Sequence, residues 1–443
     1  MTVSKIKINL YKNIKETLTL EPHPINIFIG QNNVGKSNFL DAIEFALLDA
    51  EPSSYLFYAA ADIELDLAFS PEERDQYQLP DLQARLILNH GQRQMIFPQR
   101  ELPYNIALVK FLSSRLKRLN ETALANFRQI EHDFTSLKHH AGAWEKFTQI
   151  LQKHFPKIRA DENALDVDYE HQGLYEDDRR VTIDRLGSGF RRIFAILLYL
   201  VHPEYSLVMI DEPEIHLHPA LIKKLFWAMQ NTQAGQIFFT THSPLFITPT
   251  TLPQLVRVTK DASSTRIFTL NNKQYDHQRL LQELNADNLE MFFADQVVLV
   301  EGVSDRLLIR GLMDKFYQGD QDIKVVQTHG KGNMKIYLYL LKIFNIPFAL
   351  VLDRDALVTN HLLELMDHLD IKLATANQDQ LIRELRDYKI YVFDNGDLEA
   401  NYPRRYQTGE SKSMNALRAA NLISSEEFYS AKMQNLRRVI ENL

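Results

Sequence analysis

Residues 30–37 read GQNNVGKS, and this stretch decides how the first half of the chain is interpreted. A β-rich apolar run, residues 25–29, precedes it, and apolar residues recur at helical spacing after it. In the order strand, glycine-rich loop and helix, backbone N–H groups can surround a phosphate at the helix N-terminus. The alternative, a chance turn that contains a lysine, is disfavoured by the flanking strand and helix. The stretch therefore predicts a nucleotide-binding loop.

The residues of this loop have separate expected roles. Lys36 is expected to neutralise the β- and γ-phosphates of ATP, and the Ser37 hydroxyl is expected to ligate Mg²⁺. The residues expected to contact the nucleotide are Gly30, Asn32, Asn33, Gly35, Lys36, Ser37 and Asn38.

Length and composition indicate the number of domains and the class of protein. A chain of 443 residues exceeds what one hydrophobic core usually serves, so two domains are expected. There is no cysteine, which excludes disulfides and thiolate metal sites. The N-terminal residues lack a signal-peptide core and no apolar run could span a membrane, so a cytoplasmic protein is expected. The net charge of −7 argues against an overall basic surface but leaves room for a local positive groove.

Two further segments carry polar groups at the ends of apolar strands. Residues 207–213 read LVMIDEP, so Asp211 could hold Mg²⁺ through water and Glu212 could polarise the attacking water. Residues 238–244 read FFTTHSP, which places His242 where it could sense the γ-phosphate. Taken alone, the first segment could be an acid-decorated helix start and the second a surface histidine.

A fourth segment, residues 186–192, reads LGSGFRR. Ser188 could cap the following helix, whose N-terminus, with Gly189, would then offer donors to an anion. Taken alone, this segment favours an ordinary capped helix.

The four segments in this order resemble the head of the ABC-type ATPases, most closely the branch with RecF- and SMC-like proteins. The resemblance implies that two heads sandwich ATP, with Ser188 and Gly189 facing the partner's nucleotide, and hence a homodimer or a larger assembly. LGSGF departs from the transporter form LSGGQ, which argues against a transporter. The glutamine that such heads place near the metal stays open among Gln31, Gln94 and Gln99. The resemblance explains His216 and His218 better than a zinc site does.

A second acidic group lies in the last third of the chain. Residues 297–305 read VVLVEGVSD, and residues 348–355 read FALVLDRD. Carboxylates at the ends of parallel strands converge at one edge of the sheet. Several carboxylates at one place repel each other unless a cation lies between them, and oxygen-only ligands favour Mg²⁺ or Mn²⁺. The alternative for either segment alone is solvated loop acids.

The pair of segments resembles the Toprim domain, and a head followed by Toprim resembles the OLD (overcoming lysogenization defect) family, which includes the nuclease subunit of the Gabija phage-defence system. VEGVSD is a specific match to the OLD form. The resemblance implies two divalent ions and a lysine that stabilises charge on the phosphate, which is expected to be Lys412. The implied metal ligands are Glu301, Asp305, Asp353, Asp355 and Glu399, with Glu301 also placed among the catalytic residues.

The expected fold is therefore α/β with two domains. Residues 1–288 are expected to form the ABC-type, RecF/SMC-like ATPase domain, with a helical insertion at about 112–157. Residues 289–443 are expected to form a Toprim domain built on a parallel sheet.

The expected function is an ATP-regulated, Mg²⁺- or Mn²⁺-dependent endonuclease in bacterial defence against phage, with DNA as the first candidate substrate. RNA as the substrate is one alternative. The other is an ATP-driven clamp or sensor whose Toprim domain docks a companion defence protein. A topoisomerase is disfavoured because the sequence leaves no room for a domain with a nucleophilic tyrosine. Two basic runs could bind the phosphate backbone: Arg115, Lys117 and Arg118, and Arg404–Arg405.

Overall fold

The chain forms two compact units, Met1–Thr269 and Leu270–Leu443. The boundary lies earlier than the one expected from the sequence, which fell between residues 288 and 289. The computed structural model describes residues 1–48, 60–98, 100–103, 106–160, 174–177, 179–232, 234–261, 264–270, 284, 286–373 and 377–443.

The first unit contains strands in three sheets and helices that pack on them. Its strands are β1 (Thr2–Leu10), β2 (Leu18–Leu20), β3 (Ile25–Ile29), β4 (Asp62–Ala68), β5 (Gln83–Asn89), β6 (Gln92–Phe97), β7 (Arg100–Pro103), β8 (Leu116–Leu119), β9 (Ile158–Ala160), β10 (Leu174–Glu176), β11 (Arg179–Arg180), β12 (Leu207–Asp211), β13 (Gln236–Thr240), β14 (Leu255–Asp261) and β15 (Ser264–Thr269). Its helices are α1 (Lys36–Leu47), α2 (Pro71–Tyr77), α3 (Ile106–Ser114), α4 (Glu121–Ala125), α5 (Phe127–Lys138), α6 (Ala141–His154), α7 (Ser188–Val201) and α8 (Pro219–Gln230).

The central sheet of this unit has the order β15-β14-β3-β13-β12-β8, and all neighbours except β14 and β15 run parallel. Strands β3 and β13 are buried at every residue, because a parallel sheet is covered on both faces. A second, antiparallel sheet has the order β2-β1-β4-β5-β6-β7, and a small third sheet the order β11-β10-β9. The carboxyl ends of β3, β12 and β13 therefore share one edge, and the phosphate loop starts there.

The segment expected as a helical insertion, residues 112–157, is only partly helical. It contains the end of α3 and the helices α4, α5 and α6, but Leu116–Leu119 form β8, which pairs with β12 in the central sheet. Leu116 and Leu119 are buried, whereas the two residues between them are basic. The polar appearance of the segment therefore hid an edge strand.

The second unit is built on one four-stranded parallel sheet with the order β17-β16-β18-β19. The expected α/β class, with a parallel sheet in the second unit, is confirmed. The strands are β16 (Gln296–Val300), β17 (Ile323–Gln327), β18 (Phe348–Leu352) and β19 (Ile390–Val392). The helices are α9 (Ala286–Leu289), α10 (Val303–Phe316), α11 (Met334–Ile343), α12 (Asn360–His368), α13 (Gln378–Leu385), α14 (Lys412–Leu422), α15 (Ser425–Phe428) and α16 (Gln434–Glu441).

Strand order places the switch point of this sheet beside β16. The chain leaves β16 for β17 on one side and then returns to β18 on the other. In open parallel sheets, ligands bind at the carboxyl ends of the strands where the order reverses in this way. Among the described residues, the structure contains no helix that combines the length and the apolar character needed to cross a bilayer.

Candidate active sites

The phosphate loop has the backbone that its glycines allow. Gly30, Asn33 and Gly35 have φ values of 140°, 62° and 108°, and Gly35 is the N-cap of α1. A Cβ on Gly30 would lie 2.2 Å from the carbonyl oxygen of Val258, so only glycine fits there. Asn32, Asn33 and Ser37 are exposed, and half-buried Asn38 donates to the Asn13 side chain at 2.6 Å.

Lys36 lies inside this loop. Its Nζ donates to the carbonyl oxygens of Gly30 and Gln31 at 2.9 and 2.7 Å. Burial lowers the pKa of Lys36 to about 8, and the carboxylates of Glu212 and Glu214 oppose that shift. The lysine is therefore close to both acids, and its ammonium occupies the loop that a phosphate would fill.

Glu212 and His242 meet beside Lys36. Glu212 has a φ of 48°, and its N–H donates to the Thr240 carbonyl oxygen at 3.0 Å. His242 Nε2 lies 3.6 Å from Glu212 Oε1. Burial lowers the pKa of His242, Lys36 lowers it further and Glu212 opposes. A neutral imidazole next to Glu212 can orient a water or contact a phosphate, which suits the roles expected for both residues.

Glu214 was missed by the sequence interpretation. Its Oε1 accepts from Thr241 Oγ1 and from the His242 N–H, both at 2.7 Å, while Oε2 is buried. Burial raises the pKa of this carboxyl, and the bonds from His242 and Thr241 oppose the shift. Glu214 thus fixes the backbone that carries His242. The one available signal was an acid two residues after Glu212, within a turn between apolar segments.

Replacing Glu214 by alanine is expected to lower the free energy of unfolding by about 2–4 kcal/mol, because the hydroxyl of buried Thr241 and the N–H of half-buried His242 lose their acceptor. Glu214→Gln is the matched control, since its amide oxygen can still accept both bonds. Urea unfolding of the two variants measures the difference. Equal stabilities of the two variants would show that these bonds do not hold the turn.

Asp211 lies at the carboxyl end of β12, and its carboxylate contacts a buried arginine of β8. Arg118 Nε and Nη2 lie 2.8 and 2.7 Å from Asp211 Oδ2. The expected metal residue is therefore paired with a cation in this structure. Ser37, the other expected ligand of that ion, begins the same helix as Lys36 at the end of the loop.

The helix that begins at Ser188 is tied to the turn that carries the acids. Its N-cap is Gly187, and Ser188 is its first residue, so the expected capping role of Ser188 is wrong. One turn later, Arg192 Nη2 donates to the carbonyl oxygens of Asp211 and Glu212 at 2.8 and 2.7 Å. Ser188 is exposed at the N-terminus of α7, where unpaired N–H groups favour an anion.

Gly189 is the point of closest approach between α7 and the same turn. A Cβ there would lie 2.9 Å from the backbone oxygen of His216. Gly189→Ala is expected to lower the free energy of unfolding by about 1–3 kcal/mol, because the backbone has to move apart. Gly142→Ala in α6 is the control, since a Cβ there meets nothing within 4 Å and is expected to be neutral or stabilising. Urea unfolding of both variants tests this, and a neutral Gly189→Ala would contradict it.

Three glutamines and two histidines are the remaining candidates of the first unit. Gln31 lies in the phosphate loop, Gln94 lies on β6 of the antiparallel sheet, and Gln99 lies outside the described residues. His216 has a φ of 63° in the turn, and His218 is the N-cap of α8.

In the second unit, Glu301 and Asp353 lie at adjacent strand ends. Leu299 of β16 is in register with Leu350 of β18, so Glu301 follows β16 where Asp353 follows β18. Both lie at the switch point of the sheet. Asp355 is exposed in the turn after Asp353. The two segments singled out in the sequence thus end side by side.

A second cluster surrounds Lys412. Its Nζ lies 3.2 Å from both Glu399 Oε2 and Asp397 Oδ2, and Asp397 was not among the expected site residues. Asp305 accepts from the Gly302 N–H at 2.9 Å. Burial raises the pKa of Asp305 to about 6, and Glu399 adds to the shift, while the Gly302 bond and Lys412 oppose it. Asp305, Glu399 and Lys412 therefore interact with one another.

The donor set fits a hard divalent cation, since it consists of carboxylate oxygens at the end of a parallel sheet. Burial and repulsion between Asp305 and Glu399 are the conditions that a bound cation relieves. Across the ranges that the structure describes, however, no three acidic or histidine side chains lie close enough together to form a complete metal site. Metal binding at this edge would therefore have to draw the carboxylates together.

The first basic run is not a free surface. Arg115 pairs with Glu73 at 2.5 Å, Lys117 with Asp133 at 3.2 Å, and Arg118 with Asp211. The side chains are 21%, 15% and 7% exposed, so the hypothesis that this run binds nucleic acid is wrong. In the other run, Arg404 is exposed and Arg405 pairs with Glu427 at 2.6 Å.

Known families match both units of the chain. The AAA ATPase domain matches residues 1–79, and the AAA domain of the AbiEii toxin, Type IV TA system, matches residues 61–248. The TOPRIM domain of the overcoming lysogenization defect protein-like family matches residues 292–355. ATPase and Toprim domains imply the use of a nucleotide and a divalent metal.

Three curated relatives are similar over part of the chain. An OLD nuclease of Thermus scotoductus is 28% identical over 44% of this chain and 39% of its own length. An ATP/GTP phosphatase of Helicobacter pylori is 23% identical over 66% of this chain and 98% of its own length. Endonuclease GajA of Bacillus cereus strain VD045 is 22% identical over 71% of this chain and 68% of its own length.

Among solved structures, an SMC head bound to the C-terminal winged-helix domain of ScpA is similar at 14% identity and a TM-score of 0.47. That similarity covers 61% of this chain and 98% of the SMC head.

Proposed function

We propose that this OLD-type protein, in which an ATPase domain precedes a Toprim domain, is a metal-dependent endonuclease whose cutting is controlled by ATP. The proposed substrate is DNA and the proposed role is defence against phage. The observation that carries the proposal is the placement of Glu301 and Asp353 side by side at the switch point of a parallel sheet. The chain spans only 39% of the OLD nuclease and 68% of GajA, so activity and substrate are inferred for this chain and not transferred from them.

In the first unit, the proposed nucleotide is ATP. The N–H groups of the loop from Gly30 to Gly35 would hold the phosphates, and Lys36 would exchange its loop carbonyls for phosphate oxygens. Ser37 and Asp211 would hold Mg²⁺, which neutralises phosphate charge when bound. The remaining contacts to the nucleotide would come from Asn32, Asn33 and Asn38.

Hydrolysis would depend on the pair beside Lys36. Glu212 would accept a proton from the attacking water, and His242, held neutral by burial, would orient that water or contact the γ-phosphate. The exposed N-terminus of α7, with Ser188 and Gly189, would bind the nucleotide of a second copy, which makes a homodimer through the ATPase domains the proposed assembly.

In the second unit, Glu301, Asp353 and Asp355 would hold one divalent ion, and Asp305 and Glu399 a second. Mg²⁺ or Mn²⁺ supplies an activated water and stabilises the leaving oxygen when bound. Lys412 would leave its carboxylate partners to stabilise charge on the scissile phosphate. Arg404, exposed in the turn after Glu399, would contact the phosphate backbone.

The test is cleavage by the purified protein. Supercoiled plasmid and structured RNA are incubated with Mg²⁺ or Mn²⁺, with and without ATP, and compared for the wild type and Lys36→Ala. Metal-dependent nicking of plasmid that changes with ATP in the wild type, but not in Lys36→Ala, is the expected result. Cleavage of RNA alone would move the substrate to RNA. Absence of cleavage on every substrate would favour the alternative of an ATP-driven sensor that docks a companion protein.

A further inference from the structure

Arg118 occupies a position in the nucleotide site that the sequence does not explain. It lies on β8, in register with Met209 of β12, and is 7% exposed. Besides its two contacts with Asp211 Oδ2, its Nη2 lies 3.0 Å from Asp211 Oδ1. One planar cation therefore engages both oxygens of the carboxylate.

Two further acids on α1 hold this guanidinium in place. Its nitrogens lie 3.4 Å from Asp41 and 3.9 Å from Glu44, and Asp41 also binds Lys12 Nζ at 2.6 Å. A buried cation is expensive unless it is paired, and three carboxylates offset that desolvation. Arg118 is thus fixed between the helix that follows the phosphate loop and the end of β12.

We infer that Arg118 competes with the divalent ion for the Asp211 carboxylate and so sets the Mg²⁺ concentration at which the site accepts a nucleotide. The inference rests on the proposed function, in which Asp211 helps to hold that ion. A divalent ion bound to Asp211 would share the carboxylate with the Arg118 guanidinium. Two cations that contact one carboxylate repel each other strongly in a partly buried site. Nucleotide binding would then be coupled to loosening of the contact between Arg118 and Asp211.

Arg118→Gln removes the competing charge and keeps a polar side chain. The Mg²⁺ concentration that half-saturates binding of a fluorescent, non-hydrolysable ATP analogue is expected to fall about fivefold or more in this variant. Arg74→Gln is the matched control, because Arg74 and its partner Asp75 are 42% and 68% exposed. That control is expected to keep the wild-type Mg²⁺ requirement.

Arg118→Lys is the second variant, since Arg118→Gln leaves three acids without their cation and could unfold. Lysine keeps the charge but loses the bidentate geometry, so its Mg²⁺ requirement is expected to fall by a smaller factor. Thermal unfolding gives a readout independent of hydrolysis. The rise in Tm from EDTA to Mg²⁺ plus the analogue is expected to be larger in both variants than in the wild type, because the analogue binds them at lower metal concentration.

An unchanged Mg²⁺ requirement in the variants overturns the inference. A higher requirement also overturns it, and assigns Arg118 instead to orienting Asp211 toward the metal. If the wild type does not bind the analogue, or binds it without any dependence on Mg²⁺, the proposed nucleotide site fails, which is a distinguishable result.

Discussion

Glu301→Gln and Asp353→Asn are each expected to slow metal-dependent cleavage by about 10³-fold, a loss of about 4 kcal/mol of transition-state stabilisation. Each change keeps the size of the side chain but removes the charge with which it would hold a divalent ion. Because the two residues follow adjacent parallel strands, the two variants are expected to lose cleavage activity to a similar extent. The measurement is the initial rate of plasmid nicking with Mg²⁺ and with Mn²⁺.

ATP hydrolysis is the internal control for these variants, since the proposed hydrolytic residues all lie in the first unit. Glu426→Gln is the matched substitution, because Glu426 is exposed on α15 of the same unit as Glu301 and is expected to leave cleavage unchanged. Cleavage at the wild-type rate by both Glu301→Gln and Asp353→Asn would remove the strand-end acids from the mechanism.

Asp305→Asn is expected to stabilise the metal-free protein by about 2–3 kcal/mol at pH 7.5 while it lowers cleavage by about 10²-fold. The pKa of Asp305 is raised to about 6 from the ordinary 3.8, mainly by burial, so its charged form opposes folding. Asparagine removes that charge, and its side-chain oxygen can still accept from the Gly302 N–H. The charge of Asp305 is therefore expected to lower the stability of the metal-free protein and to raise the rate of cleavage.

The sign of this effect fixes its pH dependence. A carboxyl whose pKa is raised by folding favours the folded state only when it is protonated, so the wild type gains stability as the pH falls from above 6 toward 4. The advantage of Asp305→Asn is expected to be full at pH 7.5 and to vanish near pH 4. Urea unfolding in EDTA at both values measures it, and a destabilised Asp305→Asn at pH 7.5 would contradict the argument.

Asp397→Asn is the matched comparison. Lys412, which also interacts with Asp305, lies 3.2 Å from the Asp397 carboxylate. Burial raises the pKa of Asp397, but the bonds from Lys412 and Glu399 and the charge of Lys412 together outweigh burial, so the pKa is lowered overall. Its charged form therefore favours folding, and its removal is expected to destabilise slightly at pH 7.5, opposite in sign to Asp305→Asn.

The sequence by itself determined the features that depend on residues close together in the chain. A loop that binds phosphate needs a strand, glycines and a helix start within a few residues, and residues 25–47 contain all three. The meeting of Glu301 and Asp353 also followed from the sequence, because acids that end parallel strands share an edge of the sheet whatever else the chain does.

Only the tertiary structure decided which charged side chains are free and which are internal partners. Arg115, Lys117 and Arg118 look like a basic surface in the sequence, yet each is neutralised by an acid from a distant segment, among them Glu73, Asp133 and Asp211. Glu214 became recognisable only once its bonds to the His242 segment were formed. Charge pairing depends on distance in space, which sequence spacing does not record, whereas strand ends and glycine turns are set by neighbours in the chain.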